Sequence, residues 1–364
     1  MEKLDTKKMI DVVEENIKKI KDKKFNIFFY VLDTQGNPSG SLEYIYQTAL
    51  ILKNNGYNVT MLHNQKDFIG VAEWLGEKYN VLEHKNIETE NVEINPCDFL
   101  FIPEIFTDVM SQTKKLPCKR IAIIQNYNYL SEFMPIAGDF NTMKISDAIT
   151  TTNAQKEIIN SYFPNLNVHV VPPSISKIFR ESDAPKKLII NVVSRNQENV
   201  FRIMKPFYWK NPMYKWVSFR ELRGLDQETL SNALMESPIT VCVDENTNFG
   251  FVALEALRCG SIVLSKVPNT LSDWNIEDDK LTDACLWFDN IDDVPDMLAS
   301  LVYHWTTDTI PEEVYENIHK LDNMYTPETQ EKEVLYTYET EIFSRRVNDF
   351  EEALAQIKKN KKEN

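Results

Sequence analysis

Ile239-Thr240-Val241-Cys242-Val243, a polar loop from Asp244 to Asn248, Phe249-Gly250-Phe251-Val252-Ala253-Leu254-Glu255-Ala256-Leu257-Arg258-Cys259-Gly260, then Ser261-Ile262-Val263-Leu264: this stretch decides the fold. Its two apolar runs predict buried strands, and the segment between them predicts a short helix. Gly260 follows the last helical residue, where a left-handed cap is cheapest. A strand feeding a helix N terminus through a glycine-containing turn builds an anion site. The first helical N–H groups lack an internal partner, and the helix dipole is positive at that end. One carboxylate, Glu255, lies just over one turn into the helix. The combination suits a nucleotide diphosphate with a ribose beside it. From these residues alone, an ordinary strand–helix–strand unit without a ligand reads equally well.

The same alternation extends in both directions. Residues 1–24 predict an amphipathic helix, with Ile10, Val13, Ile17 and Ile20 at steps of three and four. Phe25 to Val31 predicts a strand, followed by the loop Asp33-Thr34-Gln35-Gly36-Asn37-Pro38-Ser39-Gly40. A helix then carries Leu42, Ile45, Ala49 and Leu52 and stops at Asn55-Gly56, before a strand at 58–62. This β–loop–α–β opening starts a doubly wound sheet. Further strands are predicted at 99–102, 121–124, 148–151 and 168–171, and Pro172-Pro173 breaks the pattern. A second series has strands at 188–193, 216–219, 239–243, 262–264 and 285–288. The expected fold class is α/β, with two Rossmann-like domains: 1–178 together with a C-terminal helix at 330–364, and 179–329. The tail puts Phe343, Val347, Phe350, Leu354 and Ile357 on one helical stripe.

A chain of 364 residues, 43% of them hydrophobic, has room for two domains and a sizeable core. Its formal charge of −15 disfavours a broad nucleic-acid-binding face, so DNA is a disfavoured partner, although a local basic patch is compatible with it. Cys97, Cys118, Cys242, Cys259 and Cys285 are scattered and read as small core residues of a reducing compartment. The five histidines show no metal-ligand spacing. Asp278-Asp279 and Asp292-Asp293 sit in acidic, loop-like surroundings and read as solvated faces, so no metal site is expected. No apolar run reaches the length of a membrane span. The polar N terminus has no signal-peptide core, and a soluble cytoplasmic protein is expected.

The segment from Asn248 to Gly260 resembles the C-terminal signature of retaining, nucleotide-sugar-dependent glycosyltransferases of the GT-B fold. That signature has Phe-Gly, an apolar run, Glu-Ala, then Cys-Gly before a Val/Ile-rich strand. Family members carry two glutamates eight positions apart; the second matches Glu255, and the first falls on Thr247. The resemblance implies that Glu255 holds the donor ribose hydroxyls, with Thr247, Asn248, Phe249, Gly250 and Phe251 around the donor. The glutamate absent at Thr247 is one expected near the donor sugar, and Asp244 or Glu245 can reach in from the loop instead. The resemblance further implies two domains facing a cleft, with the C-terminal helix crossing back to the first.

Arg195, just after the strand at 188–193, matches the arginine that neutralises the donor diphosphate in this family, work for which a charge-assisted contact is suited. The second cation is Lys205 or Arg202, both further on than the family lysine. Ser39 and Gly40 match the family's glycine loop. Asn126 follows the strand at 121–124, where many members have a histidine; an asparagine supplies a neutral hydrogen bond but no charge. Phe219 to Gly224, before a helix capped by Asp226, matches the edge of the nucleotide base site. The implied reaction is metal-independent transfer of a hexosyl or pentosyl group from a nucleotide diphosphate sugar to a glycan or other hydroxyl acceptor, with retention and no cofactor. Two other readings stay open: a phage-type transferase acting on a hydroxymethylated DNA base, and a non-catalytic sugar-nucleotide-binding relative or subunit.

Overall fold

The structure, a computed structural model, describes residues 6–136, 138–244, 250–267, 275–276, 279–280, 284–320 and 324–363. The chain divides into two compact units, Met1–Pro172 with Gln330–Asn364, and Pro173–Thr329. Ile175 is buried in the second unit's core, so the joint lies at Pro172-Pro173 itself and not at 178.

The first unit runs through α1 (Thr6–Lys21), β1 (Asn26–Tyr30), α2 (Gly40–Asn54), β2 (Asn58–His63), α3 (Ala72–Leu75), β3 (Glu83–Asn86) and β4 (Phe99–Pro103). It continues through α4 (Thr107–Gln112), β5 (Lys119–Ile124), α5 (Asn128–Phe133), β6 (Asp147–Thr150), α6 (Asn153–Tyr162) and β7 (Asn167–Val170). Its seven strands pair in the order β3-β2-β1-β4-β5-β6-β7, all parallel. Both faces of a parallel sheet are covered, so its strands read as nearly continuous apolar runs. Alternate residues serve opposite cores: Ile27, Phe29, Phe99 and Phe101 join one, Phe28, Tyr30, Leu100 and Ile102 the other. β3 escapes the sequence reading because Glu-His-Lys-Asn at a sheet edge carries no apolar signal.

The second unit holds β8 (Ile189–Val193), α7 (Gln197–Lys210), β9 (Ser218–Leu222), α8 (Gln227–Glu236), β10 (Ile239–Cys242), α9 (Phe251–Arg258) and β11 (Ile262–Lys266). A short antiparallel pair, β12 (Asn275–Ile276) and β13 (Asp279–Lys280), precedes β14 (Cys285–Phe288), α10 (Val294–Thr306) and α11 (Glu312–His319). The main sheet has the order β14-β11-β10-β8-β9, again all parallel. β9 begins two residues later than the sequence pattern suggests, because Trp216 is exposed and Phe219 to Leu222 pair with β8.

α12 (Pro327–Tyr336) leads back to the first unit, followed by the π-helical stretch Thr337–Phe343 and α13 (Ser344–Glu363). Val334, Tyr338, Ile342, Phe343 and Val347 enter the first core, so the C-terminal helix packs back onto the first domain as expected. Phe343 meets Phe25 and Phe99 with ring centroids 4.9 and 4.7 Å apart. Glu339 accepts from Tyr57 Oη at 2.6 Å and Lys23 Nζ at 2.8 Å, pinning the same stretch to two turns of the first unit. Phe343→Ala is expected to remove about 3–5 kcal/mol of stability. Chemical denaturation should show it as a lowered midpoint; an unchanged midpoint would mean that the helix docks without Phe343.

Candidate functional site

In a doubly wound sheet, ligands gather at the carboxyl ends of the strands, where the strand order reverses and neighbouring crossovers part. The order places that point between β1 and β4 in the first sheet, and between β8 and β10 in the second.

In the first unit, the loop leaving β1 is shaped by Asp33. Its carboxylate accepts from Gln35 N at 3.0 Å and Ile69 N at 2.7 Å. The loop ends at Ser39, the N-cap of α2, whose side chain makes no capping bond, and Gly40 is the first helical residue. Ser39 is half-buried and Gly40 exposed. Gln125, at the exit of β5, donates from Nε2 to Ser41 O at 3.0 Å, tying the start of α2 to β5. Asn126 follows. Its Oδ1 accepts from Asn128 N at 3.0 Å, so its amide nitrogen is what it offers a ligand.

The sequence reading misses Glu104, the residue that leaves β4. It is buried, and its Oε1 accepts from Gln125 N at 3.0 Å and Asn126 N at 2.8 Å. Burial pushes this carboxyl up to about 7, opposed by the backbone N–H groups of Asn126 and Gln125. The available signal was a carboxylate directly after the wholly apolar Phe99-Leu100-Phe101-Ile102-Pro103.

In the second unit, β8 exits into Ser194-Arg195-Asn196, and Asn196 caps α7 by accepting from Glu198 N at 2.9 Å. Asp244, just past β10, accepts from Arg195 N at 2.8 Å, and its other oxygen stands 3.8 Å from Arg195 Nε. The Arg195 side chain is otherwise 84% exposed. One carboxylate thus bridges the two strand exits at the switch point. Beyond it, Gly250 takes a left-handed conformation (φ 76°) as N-cap of α9, so no cap side chain covers the helix start. Glu255 is buried one turn along, 6% exposed. Gly260 closes the helix at φ +71°. Lys186 Nζ donates to Cys259 O at 2.6 Å, a cation at the negative end of the helix. Asp226 caps α8 by accepting from Thr229 N at 2.8 Å.

Arg195, Gly250, Phe251 and Glu255 therefore belong to one sheet edge. Thr247, Asn248 and Phe249 lie outside the described residues, as do Glu245 and Asp278. The structure does not bring the second cation to Arg195. Arg202 is bonded to Asp292 at the start of α10, at 2.8 Å, because α7 packs against that element. Asp292 and Asp293 are exposed, as expected of a solvated face, and the bond to Arg202 is a surface ion pair. Lys205 lies over the Phe201 ring at 5.0 Å, eight residues into α7 and about 12 Å along its axis. Most of Phe219 to Gly224 is strand. Arg220 spans to Asn191 Oδ1 (2.9 Å) and Glu236 (2.7 Å), which leaves only the turn at Arg223-Gly224 open to a ligand.

No family model matches the sequence, and no curated protein matches it. Solved structures do. Sucrose-phosphate synthase from Thermosynechococcus elongatus superposes with a TM-score of 0.60 at 12% identity, covering 86% of this chain and 98% of that one. A glycosyltransferase from Rickettsia africae gives 0.59 at 12%, covering 89% and 98%. The catalytic domain of starch synthase IV from Arabidopsis thaliana, bound to ADP and acarbose, gives 0.55 at 11%, covering 89% and 99%. The fold is GT-B. At these identities the likeness speaks for the fold alone. No described helix is long and apolar enough to cross a membrane.

The Glu104 geometry predicts a pH dependence of stability. With the native value raised from 4.5 to about 7, the native state holds this proton more tightly than the unfolded chain. Its stabilising contribution is full below pH 4.5 and fades as pH rises to about 7, a loss of roughly 3 kcal/mol. Glu104→Gln keeps an acceptor and removes the charge. It should be more stable than the parent at pH 8, with the gap narrowing towards pH 5. Denaturation at the two pH values measures this; a variant equally destabilised at both would show that the carboxyl is needed ionised.

Proposed function

We propose that this chain is a retaining, metal-independent glycosyltransferase that moves a hexosyl or pentosyl group from a nucleotide diphosphate sugar to an acceptor hydroxyl. One observation carries the reading. At the switch point of the second sheet, an exposed arginine is anchored by the residue that leads towards a glycine-capped helix start, and a buried glutamate lies one turn inside that helix. A starch synthase structure of similar fold holds ADP, which is in keeping with a nucleoside diphosphate ligand.

In this reading the bond from the anomeric carbon to the diphosphate oxygen breaks, a bond to the acceptor oxygen forms on the same face, and the acceptor's proton passes to the departing diphosphate oxygen. Arg195 and the start of α9 stabilise the charge on the departing diphosphate, and Glu255 accepts from the ribose hydroxyls. Asp244 keeps the Arg195 backbone in place. With Thr247 where the family has a glutamate, donor-sugar handling falls to other groups. Arg202 is paired with Asp292 and Lys205 lies further along α7, so the charge of the diphosphate falls mainly to Arg195 and the start of α9.

Donor hydrolysis across a panel of nucleotide sugars, with and without excess chelator, tests the proposal. Turnover of at least one donor that survives chelator is expected. No turnover together with no nucleoside diphosphate binding would sink it, and a metal-rescuable loss would remove the metal-independent part. Arg195→Ala should melt near the parent temperature, because the side chain is exposed, yet lose about a hundredfold or more in rate, roughly 3–4 kcal/mol. Arg195→Lys should recover only part, since an ammonium cannot reproduce the guanidinium fork. Glu255→Gln should weaken nucleoside diphosphate binding by about 1.5–3 kcal/mol in calorimetry.

A further inference from the structure

At the opposite edge of the first sheet, where β5 and β6 begin, lies a groove of about 550 Å³. Lys114, Lys115, Lys119, Arg120, Lys144 and Arg346 line it, and no acidic residue does. In a chain with 55 acidic and 40 basic residues, six cations on one concave surface run against composition. β5 separates this groove from the carboxyl edge by its own length, about 17 Å.

The charges are only partly compensated. Asp147, 1% exposed, takes Lys119 at 2.6 Å and also reaches Arg345 at 3.2 Å and His169 at 3.6 Å. Burial alone would raise its carboxyl, but His169, Lys119 and Ser146 hold it well below the usual carboxylate range. Asp349 stands 3.9 Å from Lys119 and 4.0 Å from Arg346. Six cations therefore face two carboxylates, an excess of four positive charges. Lys114, Lys115 and Lys144 are exposed and form no ion pair with any described residue.

Arg120 makes the deepest part of the lining and is 4% exposed. Its guanidinium donates to carbonyl oxygens, Met110 O at 2.8 Å, Met143 O at 2.7 Å and Lys144 O at 3.0 Å, with no carboxylate against it. A buried cation satisfied only by dipoles keeps its full charge, which favours a nearby anion. Lys144 itself is held at φ +56°, a left-handed conformation that a lysine rarely adopts. The bond from Arg120 to its carbonyl secures that turn at the rim of the groove. Strain of this kind persists where the surroundings over-determine it.

We propose that this groove binds a multiply phosphorylated small anion, at a site separate from the carboxyl edge of either sheet. Two linked phosphoryl groups supply the negative charge that offsets the excess. Their oxygens suit the lysine point charges, while Arg346, whose Nη2 donates to Pro96 O and Pro117 O, adds positive charge from the wall.

Calorimetry with sodium tripolyphosphate tests the proposal. The triple variant Lys114→Gln, Lys115→Gln, Lys144→Gln changes only exposed, unpaired side chains, so the fold is retained and a thermal melt verifies it. It should bind at least about tenfold more weakly than the parent. Asp349→Asn, which removes a competing carboxylate, should bind more tightly, a gain that a purely structural role for the groove would not produce. Arg195→Ala, at the other site, should keep the lysine-dependent binding. Undiminished binding by the folded triple variant, or loss confined to Arg195→Ala, overturns the proposal. So does lysine-dependent capture by phosphatidylserine vesicles or duplex DNA without tripolyphosphate binding, which would make the groove a surface for a lipid or nucleic-acid polyanion.

Discussion

The shared direction of the strands is the constraint on which the rest depends. Parallel neighbours cannot be joined by a tight turn, so each connection crosses a face and every strand leaves at the same edge. Residues far apart in the chain then meet because they end neighbouring strands. Asp33 and Glu104 are brought to one sheet edge in this way, and Arg195 and Asp244 to the other. The strand order reverses beside each pair, which opens a part of the edge that a ligand can enter without displacing a crossover.

A second regularity concerns how this acidic chain uses its carboxylates. Several hold backbone rather than cations. Asp98 accepts from Asn26 N at 2.8 Å and Asn95 N at 2.7 Å. Asp33 organises the loop after β1, Glu104 the loop after β5, and Asp244 the loop after β8. Each bond fixes a loop that the sheet itself leaves free. Carboxylates engaged with backbone are poorer partners for cations: Asp244 reaches Arg195 Nε only at 3.8 Å, and Lys114, Lys115 and Lys144 form no ion pair with any described residue.

Much of this was legible in advance. Periodicity marks eleven of the parallel strands because both faces of each sheet are covered, so burial and sequence pattern coincide. The stripe from Phe343 to Phe350 likewise announces a helix with a core to meet. β3 was hidden because an edge strand of Glu-His-Lys-Asn is held by backbone bonds to β2 and by polar side-chain bonds, not by apolar burial. Glu104 and the pairing of Arg202 with Asp292 were hidden for a related reason. Each depends on a partner tens of residues away, and spacing along a helix or strand carries no information about it. The register of β9 shifted because Trp216, apolar in the sequence, lies on the surface.

The core of the first unit is built from both ends of the chain: Ile20 and Phe25 pack with Tyr338, Phe343 and Val347, and the whole second unit lies between them in sequence. Translation runs from the N terminus, and domains fold as units as they emerge. The ribosome therefore makes every residue of the second core before the last side chains of the first. The unit encoded first is the last that can close. Until then its nascent sheet exposes the apolar face that Phe343 covers, and chaperone dependence during synthesis should concentrate on that face.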